Sequence, residues 1–292
     1  MSDSVATVPP VASASRGGPP VPPFSRRTTA FSAFRALLLR DLAVLDKDLL
    51  REVLPNTLMQ PVLLVFTFTY VFPEIGQGVG ASGAGGEARF ATLLLGGLIA
   101  QAIIFAGIFR VALPVAREFD VTSEIEDRVL APISVKLIAV ELIVAGALQA
   151  FFAGLVVFPV AAFLPATPIY LKAHWPVLIS MGLLVCIASS AIGLTVGTRI
   201  EPRLVPPLAS FVALPLAFLG AIFYTWDSLT PVLWLKYLVL INPLVYMSEG
   251  FRAGVTEGVP IMPLPAIYAA LGSFTVLFTY LGVTGFQKRV LD

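Results

Sequence analysis

Six stretches of this 292-residue sequence, each between 20 and 30 residues long, contain no Asp, Glu, Lys or Arg. An α-helix needs roughly 20 mostly apolar residues to cross the hydrocarbon core of a bilayer, so each stretch can span a membrane. The stretches are Val53–Pro73, Phe90–Phe109, Leu142–Leu171, His174–Thr198, Leu204–Trp226 and Val259–Gln287. In the third, Pro165 and Pro168 predict that the helix ends near Leu164. The sequence therefore predicts an all-α integral membrane protein with six transmembrane helices.

The overall composition excludes an ordinary soluble domain. Apolar residues make up 57% of the chain and charged residues 13%, against about 45–50% and about 25% in soluble globular proteins. The net charge of +1 gives no indication of nucleic-acid binding. Cys186 and His174 are the sole cysteine and histidine, which argues against an intrachain disulfide and against a metal site built from these residue types. We expect no metal or cofactor bound by this chain.

The distribution of basic residues predicts the orientation in the membrane. With the N-terminus in the cytoplasm, 15 of the 19 Lys and Arg residues lie on the cytoplasmic side. The four on the outer side are Arg89, Lys172, Lys236 and Arg252. Because cytoplasmic loops of membrane proteins carry the excess of Lys and Arg, both termini are predicted to be cytoplasmic.

The N-terminal region divides into two parts ahead of the six-span domain, which we assign to 55–287. Residues 1–30 are rich in Pro, Ser and Gly and are predicted to be a disordered cytoplasmic tail. Residues 31–54 carry apolar side chains at intervals of three or four among charged ones, which predicts an amphipathic helix. We favour a helix lying on the inner membrane face over a cytosolic helix packed on the body of the protein. The apolar positions are Phe34, Leu37, Leu38, Leu42, Leu45 and Leu49.

Polar residues within the six stretches indicate how transport could be driven. They are uncharged, and examples are Gln101, Gln149, Ser189, Ser190, Thr195 and Ser210. Secondary transporters usually carry ionisable groups near the bilayer midplane, so proton coupling is disfavoured. The 292 residues contain no Walker A sequence, so if ATP drives this protein, another polypeptide binds it. A polytopic membrane enzyme, or an energy-independent channel or scaffold protein, stays open as an alternative.

The segment 114–136, between the second and third spans, carries eight charged residues. Ser123 is a candidate N-cap and Pro132 ends the following short helix after about two turns. Apolar Leu130 in this charged setting is typical of a docking surface for a partner protein, although an ordinary solvated loop would have the same composition. The candidate docking residues are Arg117, Glu118, Glu124, Glu126, Asp127, Arg128 and Leu130.

The segment 227–258, between the fifth and sixth spans, is interrupted by Lys236 and is too short in its apolar parts to span, which predicts an external re-entrant segment. Asn242 followed by Pro243 is a helix start signal. Glu249 and Arg252 are three residues apart and can pair on one helix face, with Tyr246 on the same side. At the outer membrane edge such a pair avoids two lone charges near lipid, and we favour this structural role over substrate contact.

Two motifs resemble those of type-2 ABC transporter permeases. The run Glu126–Ser134 is similar to that family's loop, in which a Leu-x-x-Pro-Val-Ser-like sequence precedes the third span. The run Asn242–Arg252, Asn-Pro-Leu-Val-Tyr-x-x-Glu-Gly-Phe-Arg, is similar to the family's Asn-Pro-Leu-x-Tyr-x-x-Glu-x-x-Arg sequence before the sixth span. The likeness covers residues 31–292 and is nearest to the daunorubicin-resistance, nodulation-factor and polysaccharide export permeases.

The resemblance implies a multi-pass subunit of the bacterial inner membrane that exports a lipid, a lipid-linked glycan or a hydrophobic drug. It implies two copies of a separate ABC ATPase, which bind ATP and Mg²⁺, and a second permease copy, for which we expect a homodimer. The segment 114–136 would dock on the ATPase as a coupling loop. Ser189, Gly193 and Gly197 form a small-residue face that we assign to packing within the subunit first and to the dimer interface second.

Overall fold

The computed structural model of the protein describes residues 31–41, 54–75, 86–119, 134–165, 172–256 and 260–291. Regular structure in these residues is helical, which confirms the all-α prediction. The helices are α1 (31–41), α2 (Leu54–Phe66), α3 (Gly86–Arg117), α4 (Val135–Phe163), α5 (Trp175–Arg199), α6 (Val205–Phe218), α7 (Leu233–Leu238), α8 (Pro243–Val255) and α9 (Leu264–Leu291).

Four of the described helices are long and apolar enough to cross a membrane. They coincide with the second, third, fourth and sixth predicted spans, and their spanning segments are Phe90–Arg117, Val135–Phe163, Trp175–Arg199 and Leu264–Leu291. Helix α4 ends at Phe163 with Leu164 as its C-cap, as the prolines after it predict.

The first and fifth predicted spans take a different form. Helix α2 has 13 residues and continues as a π-helix over Thr67–Val71 and a last α-helical turn over Phe72–Glu74. Helix α6 has 14 residues, and the run Leu204–Trp226 is not a single helix. The chain turns after Phe218, and Ala221 has a φ of 53°, in the left-handed region that non-glycine residues rarely adopt. The structure does not confirm six spans.

The long helices do not end where the first charged residue occurs on either side of an apolar stretch. Helix α3 continues past Pro114 to Arg117 and includes Arg110. Helix α4 begins after Ser134, whose Oγ accepts a hydrogen bond from the Leu137 N–H at 3.4 Å, and it includes the fully buried Glu141. The long helices therefore extend beyond the charge-free stretches and include ionisable side chains at their ends.

Helices α3 and α5 pack closely along a line of small residues. A Cβ added at Gly193 would lie 2.7 Å from the Ile108 carbonyl oxygen and 2.8 Å from that of Gly107, and Gly197 faces Ala112 in the same way. Backbones this close leave no room for a side chain. The assignment of Ser189, Gly193 and Gly197 to packing within the subunit is confirmed.

Large apolar side chains cover the outward faces of the long helices. Exposed examples on α4, α5 and α9 are Phe163, Leu155, Ile179, Leu183, Val276 and Tyr280. Hydrocarbon is the solvent that suits such surfaces. Helix α1 carries exposed Phe31 and an Arg40–Asp41 ion pair at 3.2 Å, and the rest of the predicted amphipathic helix lies outside the described residues. Its place on the membrane surface stays a prediction.

Candidate functional site

Helix α8 begins at the cap that the sequence predicts. The Asn242 Oδ1 accepts a hydrogen bond from the Leu244 N–H at 2.9 Å, and Pro243 occupies the first helical position, where its missing N–H costs nothing. The Asn242 amide nitrogen also donates to the Leu216 carbonyl at 2.8 Å. The cap residue therefore both starts α8 and attaches it to the end of α6.

Glu249 and Arg252 form an ion pair, with 3.1 Å between Glu249 Oε1 and Arg252 Nη1, and neither side chain is exposed. The pairing that the sequence predicts is confirmed, and its place at the outer membrane edge stays a prediction. The pair lies inside the protein, where both charges are desolvated. The free-energy cost of that desolvation is offset only if the remaining hydrogen-bonding groups of both side chains have partners.

Backbone groups supply the remaining partners of this pair. Glu249 accepts from the Trp226 N–H at 3.0 Å and, through Oε2, from the Met262 N–H at 2.9 Å. Arg252 donates to the Leu93 carbonyl through Nε at 3.0 Å, and through Nη2 to the carbonyls of Ala221 and Ile222. Helix α3, the chain after α6, helix α8 and the chain before α9 are thus joined at one point.

The electrostatics of the pair follow from its burial. Desolvation lowers the pKa of the Arg252 guanidinium, and the Glu249 carboxylate opposes that shift by favouring the charged form. Arginine stays protonated in proteins, so the pair is ionic. No face of either side chain is open, so the geometry of the pair is that of a structural link between four parts of the chain.

The chain needs two special backbone positions around Arg252. A Cβ added at Gly96 would lie 2.7 Å from Arg252 Cγ, so α3 can approach α8 only with glycine there. Ala221 takes its left-handed conformation where its carbonyl accepts from Arg252, which explains why the apolar run is broken at this point. Sequence reasoning missed Ala221, because nothing in the local residue pattern marks it.

The other predicted residue of this segment points elsewhere. The Tyr246 hydroxyl donates to the Leu240 carbonyl at 3.0 Å, and its ring lies against Phe274. Burial raises the pKa of the Tyr246 phenol, which keeps it a neutral donor. Tyr246 therefore stabilises the turn before α8 through this hydrogen bond and makes no contact within the Glu249–Arg252 ion pair.

Only the start of the predicted coupling loop falls on described residues. Arg117 ends α3 and is exposed, and Glu118 directly after it is buried. The other predicted docking residues lie outside the described residues, namely Glu124, Glu126, Asp127, Arg128 and Leu130. Their role stays a prediction.

Two arginines that the sequence analysis did not single out join the ends of α5 and α9. Arg199 on α5 donates to the Leu281 carbonyl and the Thr284 hydroxyl of α9, at 3.0 and 3.1 Å. Arg289 on α9 donates in the opposite direction, to the carbonyls that end α5, and its guanidinium lies 4.7 Å from the Phe119 ring centre. The accepting carbonyls are those of Gly197, Thr198 and Ile200, at 3.0–3.2 Å. These bridges fix the helix ends beside the start of the predicted coupling loop.

Two cavities border neighbouring faces of helix α3. One is apolar, has a volume of about 220 Å³ and lies between α3, α5, α6 and α9. The other, of about 320 Å³, lies between α2 and α3 and has polar residues in its wall, among them Gln101 and Arg110. Phe105 and Phe109 border both cavities, and their rings stack with centres 5.6 Å apart. Within the described residues, no group of three or more His, Cys, Asp or Glu side chains could hold a metal ion.

Comparison with known proteins places this architecture in a family. The model of the ABC-2 type transporter family matches residues 51–256, which is more than two thirds of the chain and includes α2 through α8. The chain belongs to the ABC-2 type transporter family. The inner membrane transport permease YadH of Escherichia coli strain K12 is 29% identical over 230 residues, which are 76% of this chain and 84% of YadH. YadH of Shigella flexneri matches with the same figures.

Membership in the ABC-2 family decides between the broad classes that the sequence left open. The chain is a transport permease and not an enzyme. In general, an ABC-2 permease works with a partner ATPase subunit. The resemblance of Glu126–Ser134 and Asn242–Arg252 to type-2 permeases is thereby confirmed at the level of the family.

Proposed function

We propose that this permease is the transmembrane subunit of an ATP-driven exporter, and that its ATPase is a separate chain. The family match over residues 51–256 is the observation that carries the proposal. The absence of a Walker A sequence from the 292 residues supports it, because ATP and Mg²⁺ then have to be bound by the partner. Two ATPase copies and a second copy of this permease, as a homodimer, complete the proposed assembly.

An amphiphilic substrate is the cargo that the protein suits best. The cavity of about 220 Å³ is lined almost wholly by apolar atoms and is walled partly by Phe105, Phe109 and Phe278. Such a lining favours a hydrocarbon or aromatic group and offers no partner for a strongly polar solute. A lipid, a lipid-linked glycan or a hydrophobic drug has such a group.

The proposed location is the bacterial inner membrane, which is where the printed name of YadH places that relative. Six spans are proposed, with the helical run Leu54–Glu74 as the first and the region of α6 as the fifth. The first run has 13, 5 and 3 residues in succession and would extend about 31 Å, close to the thickness of a hydrocarbon core. Both termini are proposed to be cytoplasmic, with 227–258 as an external re-entrant segment.

The test is to co-express the tagged permease with ABC ATPases of its genome, purify it in mild detergent and assay ATP hydrolysis in the eluate. We expect a stoichiometric ATPase partner that is lost when Glu124, Glu126 and Asp127 are changed to Lys. The matched control is Asp227→Lys, an exposed carboxylate at the proposed outer side, which should keep the partner. Absence of any ATPase partner and of hydrolysis would contradict the exporter proposal and favour an energy-independent channel or scaffold.

A further inference from the structure

A further cavity, of about 480 Å³, lies where helices α5 and α9 end. Three of its eight lining residues are basic and one is acidic. The lining residues are Thr198, Arg199, Ile200, Glu201, Thr284, Gly285, Lys288 and Arg289. The proposed orientation puts these helix ends at the cytoplasmic face, so the cavity lies at the level of the lipid headgroups of the inner leaflet.

The Arg199 guanidinium is held in a fixed orientation and keeps one nitrogen unused. Its Nε donates to the Leu281 carbonyl at 3.0 Å and its Nη2 to the Thr284 hydroxyl at 3.1 Å. Its Nη1 makes no hydrogen bond with the described residues. Arg199 is exposed and lines the cavity, so a molecule there can reach the guanidinium. A guanidinium already oriented by α9 loses little conformational freedom when it binds an anion.

Lys288 adds a second reachable cation. It lies one turn after Thr284, is exposed, and makes no ion pair within the part of the chain that the structure describes. Arg289 differs, because it donates to the carbonyls that end α5 and thereby meets the negative end of that helix dipole. The charged donors left for a ligand are therefore on Arg199 and Lys288. Basic pockets between spans at the cytoplasmic side are suited to anionic lipid headgroups.

An apolar strip on α9 leads away from these cations toward the middle of the helix. Leu277 and Tyr280 are exposed, and they precede Lys288 by eleven and eight residues, which places all three on one helix face. The distance from Leu277 to Lys288 is about 16 Å along the helix axis, or about half the thickness of a hydrocarbon core. A cationic pocket that continues into a strip of this length matches a phospholipid and not a small soluble anion.

We propose that the cavity at the ends of α5 and α9 binds the headgroup of an anionic phospholipid of the surrounding membrane. Arg199 and Lys288 hold its phosphate, and a headgroup hydroxyl donates to Glu201. An acyl chain lies along Tyr280 and Leu277. This lipid is a resident ligand that bridges two spans and is not the exported cargo. The inference goes beyond the proposed function and relies on it only for the choice of leaflet.

The first test measures equilibrium binding to the full chain purified in a nonionic detergent. The probes are short-chain phosphatidylglycerol, phosphatidylcholine with the same chains, and inorganic phosphate. We expect phosphatidylglycerol to bind most tightly and Lys288→Gln to weaken it about fivefold, through the loss of one charge at the headgroup. The unfolding temperature of lipid-free Lys288→Gln should stay unchanged. The matched control is Lys136→Gln, which removes an exposed charge at the start of α4, outside the cavity, and should change the affinity little.

Arg199→Lys separates a built site from a general positive field. The change keeps the net charge but removes the planar guanidinium that α9 orients. We expect the affinity for phosphatidylglycerol to fall about fivefold, since lysine does not reproduce the fork of donors. Unchanged affinity in this variant would overturn the proposal.

Tyr280→Trp locates the acyl chain. Phosphatidylglycerol with brominated chains should quench the introduced tryptophan more strongly than brominated phosphatidylcholine at the same mole fraction. Lys288→Gln in the same background should abolish the difference. The control is Ile179→Trp, an exposed position near the other end of α5, where the two lipids should quench equally.

Four other outcomes would also overturn the proposal. Equal affinity for the two lipids would remove the role of the anion, and displacement by millimolar inorganic phosphate would make this a site for a soluble anion. Equal losses in Lys288→Gln and Lys136→Gln would indicate general surface charge. Loss of a co-purifying ATPase in Lys288→Gln, with lipid affinity unchanged, would assign the cavity to that partner. The binding tests use no ATPase, so their failure leaves the exporter proposal standing.

Discussion

Glu249 Oε1 lies 3.1 Å from Arg252 Nη1 in a place where neither side chain has any exposed surface. The two residues are one turn apart on α8, yet their remaining hydrogen bonds reach Leu93, Trp226 and Met262, on three other parts of the chain. Two residues three positions apart therefore connect segments of the chain that are more than a hundred residues apart in sequence. Its weak point is that removal of either charge leaves the other buried alone.

Glu249→Gln should be strongly destabilising. The amide keeps the shape of the carboxylate but leaves the Arg252 guanidinium buried without a counter-charge, which costs about 3–5 kcal/mol. The measurement is thermal or denaturant unfolding of the detergent-purified chain. Asp227→Asn is the matched control, because it breaks the Lys236–Asp227 pair, whose carboxylate is 57% exposed, and should cost only about 0.2–1 kcal/mol. Equal effects of the two changes would contradict the buried role.

Gly96→Ala should loosen the contact between α3 and α8. The new Cβ would meet Arg252 Cγ at 2.7 Å and the Arg252 backbone nitrogen at 2.8 Å, and such overpacking costs about 1–3 kcal/mol. Gly182→Ala on α5 has open space around the added methyl group and should stabilise by about 0.5–1 kcal/mol, because alanine favours a helix interior. Unfolding of both variants in the same detergent tests the difference in sign.

Arg289→Gln should release the end of α9 from the end of α5. The change removes donors to the carbonyls of Gly197, Thr198 and Ile200 and the contact with the Phe119 ring. We expect a loss of about 1–3 kcal/mol, since these carbonyls lose a charged donor. The neighbouring Lys288 is exposed, so Lys288→Gln should stay within about 0.5 kcal/mol of the unchanged protein. Hydrogen exchange at the two helix ends would locate the loss, and unaltered exchange would count against the bridge.

Cys186 should resist thiol reagents in the folded protein. It is the sole cysteine, is 3% exposed and lies in the apolar middle of α5, and buried thiols in apolar surroundings are inert. Maleimide labelling in mild detergent should be slow and should become complete in SDS. The control is Phe31→Cys on a Cys186→Ser background, because position 31 is 71% exposed. Rapid labelling of Cys186 in the mild detergent would mean that α5 is not packed as described.

Several features of the candidate site could be predicted from local residue patterns. The Asn242–Pro243 start of α8, the i, i+3 pairing of Glu249 with Arg252 and the end of α4 near Leu164 are each set by residues within a few positions. The broken run after α6 and the buried Glu141 could not be predicted in this way. Ala221 adopts its conformation beside Arg252, a residue 31 positions later, and Glu141 is buried by packing against other parts of the chain.

The sequence by itself determined that this is a membrane protein, that it is all-helical and which family it belongs to. The length of the apolar stretches, the spacing of the charged residues and the short motifs are local properties, and they do not depend on how the helices pack. Only the tertiary structure decided that the Glu249–Arg252 pair is enclosed and that Arg199 and Arg289 join α5 and α9 in opposite directions. It also decided that the Gln101 amide is buried with no hydrogen-bond partner among the described residues. Burial and hydrogen-bond satisfaction are properties of distant segments brought together, and no single stretch of sequence contains them.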